Sequence, residues 1–195
     1  MKLVLDILQG LGLASAVGLR PFLPALMAGA LAAGDLGVDF DHTDFAFLES
    51  PVWLLVLAVG LVASVFARRF LESPPGEAAM AGIGIGLGAL LCAASIDDRH
   101  AVWWYGLIAG AAVALLASVV SRSLFGRVRA RFASAGDAAA AAALPFYGEV
   151  GGAVVAGASV LFPPLAIVAI GFLVALLVTG RRRGDQKYAG LRILR

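Results

Sequence analysis

Ala16-Val17-Gly18-Leu19-Arg20-Pro21-Phe22-Leu23-Pro24 decides how this chain folds. Apolar sequence flanks it on both sides, from Leu3 to Val17 and from Pro21 to Ala33. A guanidinium in or beside hydrocarbon costs on the order of 2.5–3.5 kcal/mol even on lenient insertion scales. Gly18 and two prolines break the backbone at the same point. A costly charge at a broken helix is the arrangement by which membrane proteins bind or move something polar.

The rest of the chain sets that motif in a membrane. Of 195 residues, 61% are hydrophobic and 14% charged, with mean hydropathy +0.94. Soluble domains hold roughly 45–50% apolar and about 25% charged residues. Uninterrupted apolar runs exclude the alternation of barrel strands. The expected fold is therefore all-α: a polytopic transmembrane helix bundle of six or seven spans, residues 1–195 forming one membrane domain. Residues 181–195 form a basic cytoplasmic tail.

Five spans are clear: Pro51–Ala67, Glu77–Ser95, Ala101–Val120, Asp137–Leu161 and Pro164–Gly180. Ser50 is a plausible N-cap for the first, with Pro51 at the first helical position. Ahead of them, Leu3–Ala33 is too long for one span. It is either one long kinked helix or two short segments in a hairpin or re-entrant pair. The N-terminus lies inside if it crosses once and outside if it crosses twice. Lys2, the apolar run and Ala14-Ser15-Ala16 mimic a signal peptide, but Asp6 falls inside the would-be apolar region, and the segment is read as retained.

Loop charges alternate. Gly34–Ser50 holds five acidic residues and no Lys or Arg. Arg68-Arg69, the four arginines of Ser121–Gly136 and the tail are basic. By the positive-inside rule the basic loops and the C-terminus are cytoplasmic. Trp53 and Trp103-Trp104-Tyr105 then form an outer aromatic belt. Arg rather than Lys usage, with abundant Ala and Gly, points by association to a GC-rich bacterium and its inner membrane. Cys92 allows no internal disulfide and reads as a small packing residue.

Glu149 is the second anomaly. It lies about midway along Asp137–Leu161, which places it near the bilayer midplane. Arg20 is its obvious partner, because no other basic residue lies deep in a span. The candidate site comprises Arg20, Pro21, Tyr147 and Glu149. Pro21 opens a helix whose N-terminus would favour an anion: carboxylate, phosphate or lipid headgroup. The bland alternatives are a structural ion pair, and an Arg20 that merely marks the cytoplasmic end of a hairpin.

Other features are weaker. Gly82, Gly84, Gly86 and Gly88 follow no strand, so they are not a nucleotide loop. Gly82/Gly86, Gly84/Gly88, Gly106/Gly110 and Gly148/Gly152 offer small-xxx-small faces, within the chain or in a homo-oligomer. Asp39, Asp41, His42 and Asp44 match no calcium loop and read as solvated. Arg122–Phe132 reads as an inner headgroup segment. Leu48-Glu49-Ser50-Pro51 recurs as Leu71-Glu72-Ser73-Pro74, and Pro21-Phe22-Leu23 with Gly29 and Gly34 echoes Pro145-Phe146-Tyr147 with Gly152 and Gly157. Such echoes can mark transporter repeats or arise by chance. There is no nucleophile–base set and no His-rich cluster. No cofactor, metal or nucleic-acid partner is expected.

At the Gly18-Leu19-Arg20-Pro21 motif the chain resembles a family of bacterial inner-membrane proteins known only as a domain of unknown function. The resemblance implies similar length, a Gly-Leu-Arg break near the N-terminus, an apolar body and a basic C-terminus. The family often carries a His-Thr pair after the span matching Pro51–Ala67, where this chain reads Arg68-Arg69-Phe70-Leu71. It implies no established activity. The reading that follows is a small transporter or channel-like protein for an anionic or zwitterionic solute or lipid headgroup. The alternative is a non-catalytic membrane structural or assembly factor; a lipid-acting enzyme is a third.

Overall fold

A computed structural model describes residues 2–41, 43–71, 73–97 and 103–189. All regular structure among them is helical. The elements are α1 (Lys2–Leu19), α2 (Phe22–Ala32), a 3-10 turn (Ala46–Glu49), α3 (Pro51–Phe66), α4 (Arg68–Leu71), α5 (Pro74–Asp97), α6 (Trp103–Ala135), α7 (Ala138–Leu161) and α8 (Leu165–Ala189). Pro74–Asp97, Trp103–Phe132 and Ala143–Leu161 are long and apolar enough to cross a membrane, and the other apolar helices are shorter.

The ambiguity of Leu3–Ala33 resolves as a hairpin, and α7 acts as the ruler. Gly148 lies against Arg20, Gly152 against both Ala16 and Pro24, Gly157 against Met27, and Ser159 against Gly12. So α1 runs down α7 and α2 runs back up it, with the vertex at Arg20-Pro21. α2 has only 11 residues, about 16 Å, and cannot cross a bilayer alone.

α1 is the central helix. Gly12 to Gly18 are all buried, and Leu13, Ala14, Ala16 and Val17 have no exposed surface. α5, α6, α7 and α8 all pack around it. Its Gly-Ala-Ser face lets the neighbours approach closely, as membrane helices require in the absence of a hydrophobic driving force. α5 and α6 meet at glycines: a Cβ on Gly110 would meet the Gly88 carbonyl and Cys92, and one on Gly106 would meet Ala93. Cys92 is buried and free.

Two helices outrun their expected ends. α6 continues through the segment read as a loop, and α8 continues beyond Gly180 into the basic tail. Nothing between Val120 and Ala135 stops a helix except Gly126, which a helix tolerates at about 1 kcal/mol. Gly136, at φ 73, ends α6 in the left-handed region.

Asp39, Asp41 and Asp44 are exposed, as expected, but the loop's apolar residues fold inward. Asp35 and Gly37 take positive φ, and the loop folds back so that Val38, Phe40, Phe45 and Leu48 are buried. Gln9 Nε2 donates to the Gly37 carbonyl at 2.7 Å. Phe45 packs edge-on to Trp103 and Phe47 to Trp53. His42 and His100 lie outside the described residues.

The Leu-Glu-Ser-Pro repeat is a capping device used twice. Ser50 Oγ accepts from the Trp53 N–H at the start of α3, and Ser73 Oγ accepts from the Gly76 N–H at the start of α5. The second echo fails: Pro21 precedes α2, whereas Pro145 sits inside an unbroken α7.

Of the four glycine pairs, Gly84/Gly88, Gly106/Gly110 and Gly148/Gly152 face other parts of the chain, while Gly82 and Gly86 have nothing within 4 Å. Gly110→Leu should therefore destabilise by about 1–3 kcal/mol through overpacking. Gly82→Leu should stay within about 0.5 kcal/mol. Thermal unfolding in neutral detergent checks both; equal losses would contradict this packing.

Candidate functional site

Pro21 has no N–H and disfavours helical geometry at Arg20, so α1 stops there. The break releases backbone groups that must find partners in an apolar interior. Neighbouring helices supply them. Ser121 Oγ on α6 donates to the Leu19 carbonyl at 3.0 Å. The Leu23 N–H, at the second position of α2, donates to Glu149 Oε2 on α7 at 3.0 Å.

Arg20 is held in the same corner. Its guanidinium lies 4.9 Å from the centre of the Phe125 ring, a cation–π arrangement. A Cβ on Gly148 would come within 3.1 Å of Arg20 Nε and still closer to the Phe125 ring. Only glycine lets the two side chains lie flat on α7 here. Arg20 and Glu149 interact electrostatically, and Glu149 is buried.

A cavity of about 550 Å³ opens beside them. The break lines one wall through Arg20, Pro21 and Leu23. α3 contributes Leu61, Val62 and Val65. α5 contributes Glu77 and Met80. α6 contributes Ser121, Arg122, Phe125 and Arg129, and α7 contributes Pro145, Phe146 and Glu149. The α6 stretch from Trp103 to Ser121 is about 27 Å long. The break thus lies level with Ser121, toward the arginine-bearing end of α6. Glu149 lies about 18 Å along α7 from Leu161, close to the middle of a roughly 30 Å core.

Three of the four expected residues come together: Arg20, Pro21 and Glu149. Tyr147 does not. It is 68% exposed, lies edge-on to Phe146, and is absent from the cavity wall. Two helical positions turn a side chain through about 200°, so Tyr147 and Glu149 face opposite ways. The start of α2 is also occupied differently than expected, since the protein's own Glu149 carboxylate sits on it. Arg122, Phe125 and Arg129 were missed because their segment read as a loop. Their i, i+3, i+7 spacing, continued from Ser118 and Ser121, was the available sign of one helical face.

A second, smaller cavity of about 380 Å³ lies at the other end of α1, lined by Asp6, Gln9, Asp35, Asp39 and Ser95. Asp35, Asp39 and Asp41 are exposed and bring carboxylate oxygens within 4.8 Å of one another. Glu49 lies beside them and accepts from the Phe40 N–H at 3.3 Å. Burial pushes its carboxyl above the usual range, helped by the hydrogen bond that protonated Glu49 donates to Asp41 and by the charges of Asp41 and Asp39, while the Phe40 N–H opposes the shift.

The fold and the site define a helical membrane protein with a mainly apolar cavity that carries charged groups at a broken helix. Residues 7–183 match the family described as "Domain of unknown function (DUF4126)", and the chain belongs to that family. No curated protein and no solved structure matches it.

Two outcomes are expected. Glu149→Gln keeps an acceptor for the Leu23 N–H and should unfold close to wild type. Glu149→Ala orphans that N–H and should cost about 1–3 kcal/mol, read by thermal unfolding in detergent. For Glu49, the raised pKa means the folded loop binds its proton more tightly than the unfolded chain. Its stabilisation is present at low pH and is lost as pH rises through that pKa. Amide exchange over Asp39–Asp41, corrected for intrinsic rates, should lose protection as pH rises in wild type, and Glu49→Gln should flatten the profile.

Proposed function

We propose that this chain is a small membrane transporter or channel-like protein that binds an anionic or zwitterionic group, solute or lipid headgroup, at the Arg20 cavity. The observation that carries this reading is the placing of Arg20 and Glu149 on the wall of one cavity instead of in a sealed contact. A guanidinium stacked on Phe125 and backed by glycine is pre-organised to take an anion, because little side-chain freedom remains to be lost. The two cavities lie at opposite ends of α1, with the fully buried stretch Leu13–Val17 between them. That is the layout of a protein closed in its middle and accessible at each end.

The positive-inside rule sets the arginine-bearing end in the cytoplasm and the acidic loop outside, in a bacterial inner membrane. On this reading the N-terminus, at the same end as the acidic loop, lies outside. The open Gly82/Gly86 face is the surface available for a homo-oligomer. A second reading is favoured by the hydrogen bonds Ser121–Leu19 and Glu149–Leu23: these polar groups brace the break, and the protein serves a structural or assembly role.

The test is ligand-induced thermal stabilisation of the purified chain, probed with inorganic phosphate, acetate, glycine and phosphatidylglycerol. At least one probe should stabilise wild type, Arg20→Gln should abolish the shift, and Arg20→Lys should keep part of it, since an ammonium lacks the bidentate fork. No Arg20-dependent shift with any probe would favour the structural reading. In a Cys92→Ser background, a Cys at Asp41 should react with an impermeant reagent from outside and one at Arg183 should not; the reverse would overturn the orientation.

A further inference from the structure

We propose that the cavity takes a membrane lipid with an anionic phosphate headgroup, the phosphate on Arg20 and an acyl chain along the α3 wall. This rests on the anion-site reading above and names its ligand.

Three observations lead there. The first is the chemistry of the walls. A pocket for a free hydrated anion would be polar throughout, yet here every arginine and Glu149 gather at the break and along one face of α6, with Glu77 of α5 the one charged group elsewhere in the lining. The α3–α5 side is mainly apolar, with Leu61, Val62 and Val65 of α3 and Met80 of α5, although it also carries Ser64, whose hydroxyl donates to the Leu61 carbonyl, and the Glu77 carboxyl. Guanidinium groups on one side and mainly hydrocarbon on the other match an amphiphile with an anionic head.

The second is where the cavity opens. α3 packs on α2 and on the 3-10 turn, and makes no extended contact with α5, α6 or α7. The gap between α3 and those helices is the cavity. Val62 and Val65 on α3 and Phe146 on α7 are all more than half exposed. In a bilayer a sideways gap rimmed by exposed apolar groups faces acyl chains, so a lipid could enter without leaving the membrane.

The third is depth. Leu19 is tied to Ser121, about 27 Å along α6 from Trp103. With Trp103 in one aromatic belt, Arg20 lies toward the opposite boundary of a roughly 30 Å core. Lipid phosphates sit just beyond that boundary, within reach of an arginine side chain. Arg122 and Arg129, on the cavity side of α6, extend toward the same layer. Planar guanidinium forks match phosphate oxygens in pairs.

Inorganic phosphate shares the headgroup chemistry, so the test separates the two sources. The full chain in neutral detergent is assayed for retention of labelled phosphatidylglycerol, with phosphatidylcholine and inorganic phosphate in parallel. Wild type should retain phosphatidylglycerol on the order of tenfold better than phosphatidylcholine, and phosphate should not displace it. Arg20→Gln should lower retention by a similar factor. Arg127→Gln, on the same helix but off the cavity, should leave it unchanged. Val62→Trp, which fills the α3 wall from an exposed position, should reduce lipid retention; it decides the question if Arg20→Gln does not fold. Equal retention of the two lipids, or retention unchanged in both Arg20→Gln and Val62→Trp, would overturn the proposal. Arg20-dependent binding of inorganic phosphate without phosphatidylglycerol would overturn the lipid assignment and leave the anion site standing. Binding of neither would remove both.

Discussion

The break at Arg20-Pro21 is the constraint on which the bundle depends. A helix that stops inside an apolar interior exposes carbonyls and N–H groups that have no water to turn to. Here Ser121 takes the Leu19 carbonyl and Glu149 takes the Leu23 N–H. One hydroxyl from α6 and one carboxylate from α7 thereby fix the positions of both arms of the hairpin. Arg20 follows from the same contacts: it balances the carboxylate electrostatically and lies against Phe125. The charges that made the stretch costly are the ones that make the break tolerable.

The hairpin in turn sets the packing. Because α2 returns along α7, α1 is left at the centre with four helices around it. Only small side chains permit that approach, and α1 supplies Gly12, Ala14, Ser15, Ala16 and Gly18 on its inner stretch. α2 is too short to regain the far side, so the loop that follows must bury its own apolar groups. Val38, Phe40 and Leu48 do so, leaving Asp35, Asp39 and Asp41 outside and Glu49 half-covered. The raised pKa of Glu49 is a consequence of that fold-back.

Glu149 serves two roles whose demands conflict. As a cap on α2 it must stay where it is; as a neighbour of Arg20 it is an internal carboxyl group in the place where the proposed ligand would bind. A ligand phosphate reaching Arg20 would meet that carboxylate and the two arginines of α6 together. The cavity is therefore built around an internal carboxyl group with guanidinium groups beside it, and on the proposed reading discrimination between ligands rests on how well each replaces that carboxyl as their partner.

The sequence alone determined the class and most of the elements. Apolar runs with few charges can only be membrane helices, and Ser50-Pro51 marked the start of α3 because capping is local chemistry. The anomaly at Arg20 and that at Glu149 were legible for the same reason, since a charge in hydrocarbon stands out in one dimension. Tertiary structure decided what depends on contacts between distant residues. It made Leu3–Ala33 a hairpin, because that choice rests on Ser121 and Glu149, about a hundred residues away or more. It carried α6 past Val120 and so delivered Arg122, Phe125 and Arg129 to the cavity. It turned Tyr147 outward, because adjacency in sequence is not adjacency on a helix. It also gave Glu149 to the α2 N-terminus, since an unpaired backbone N–H in an apolar interior takes the nearest acceptor the fold provides.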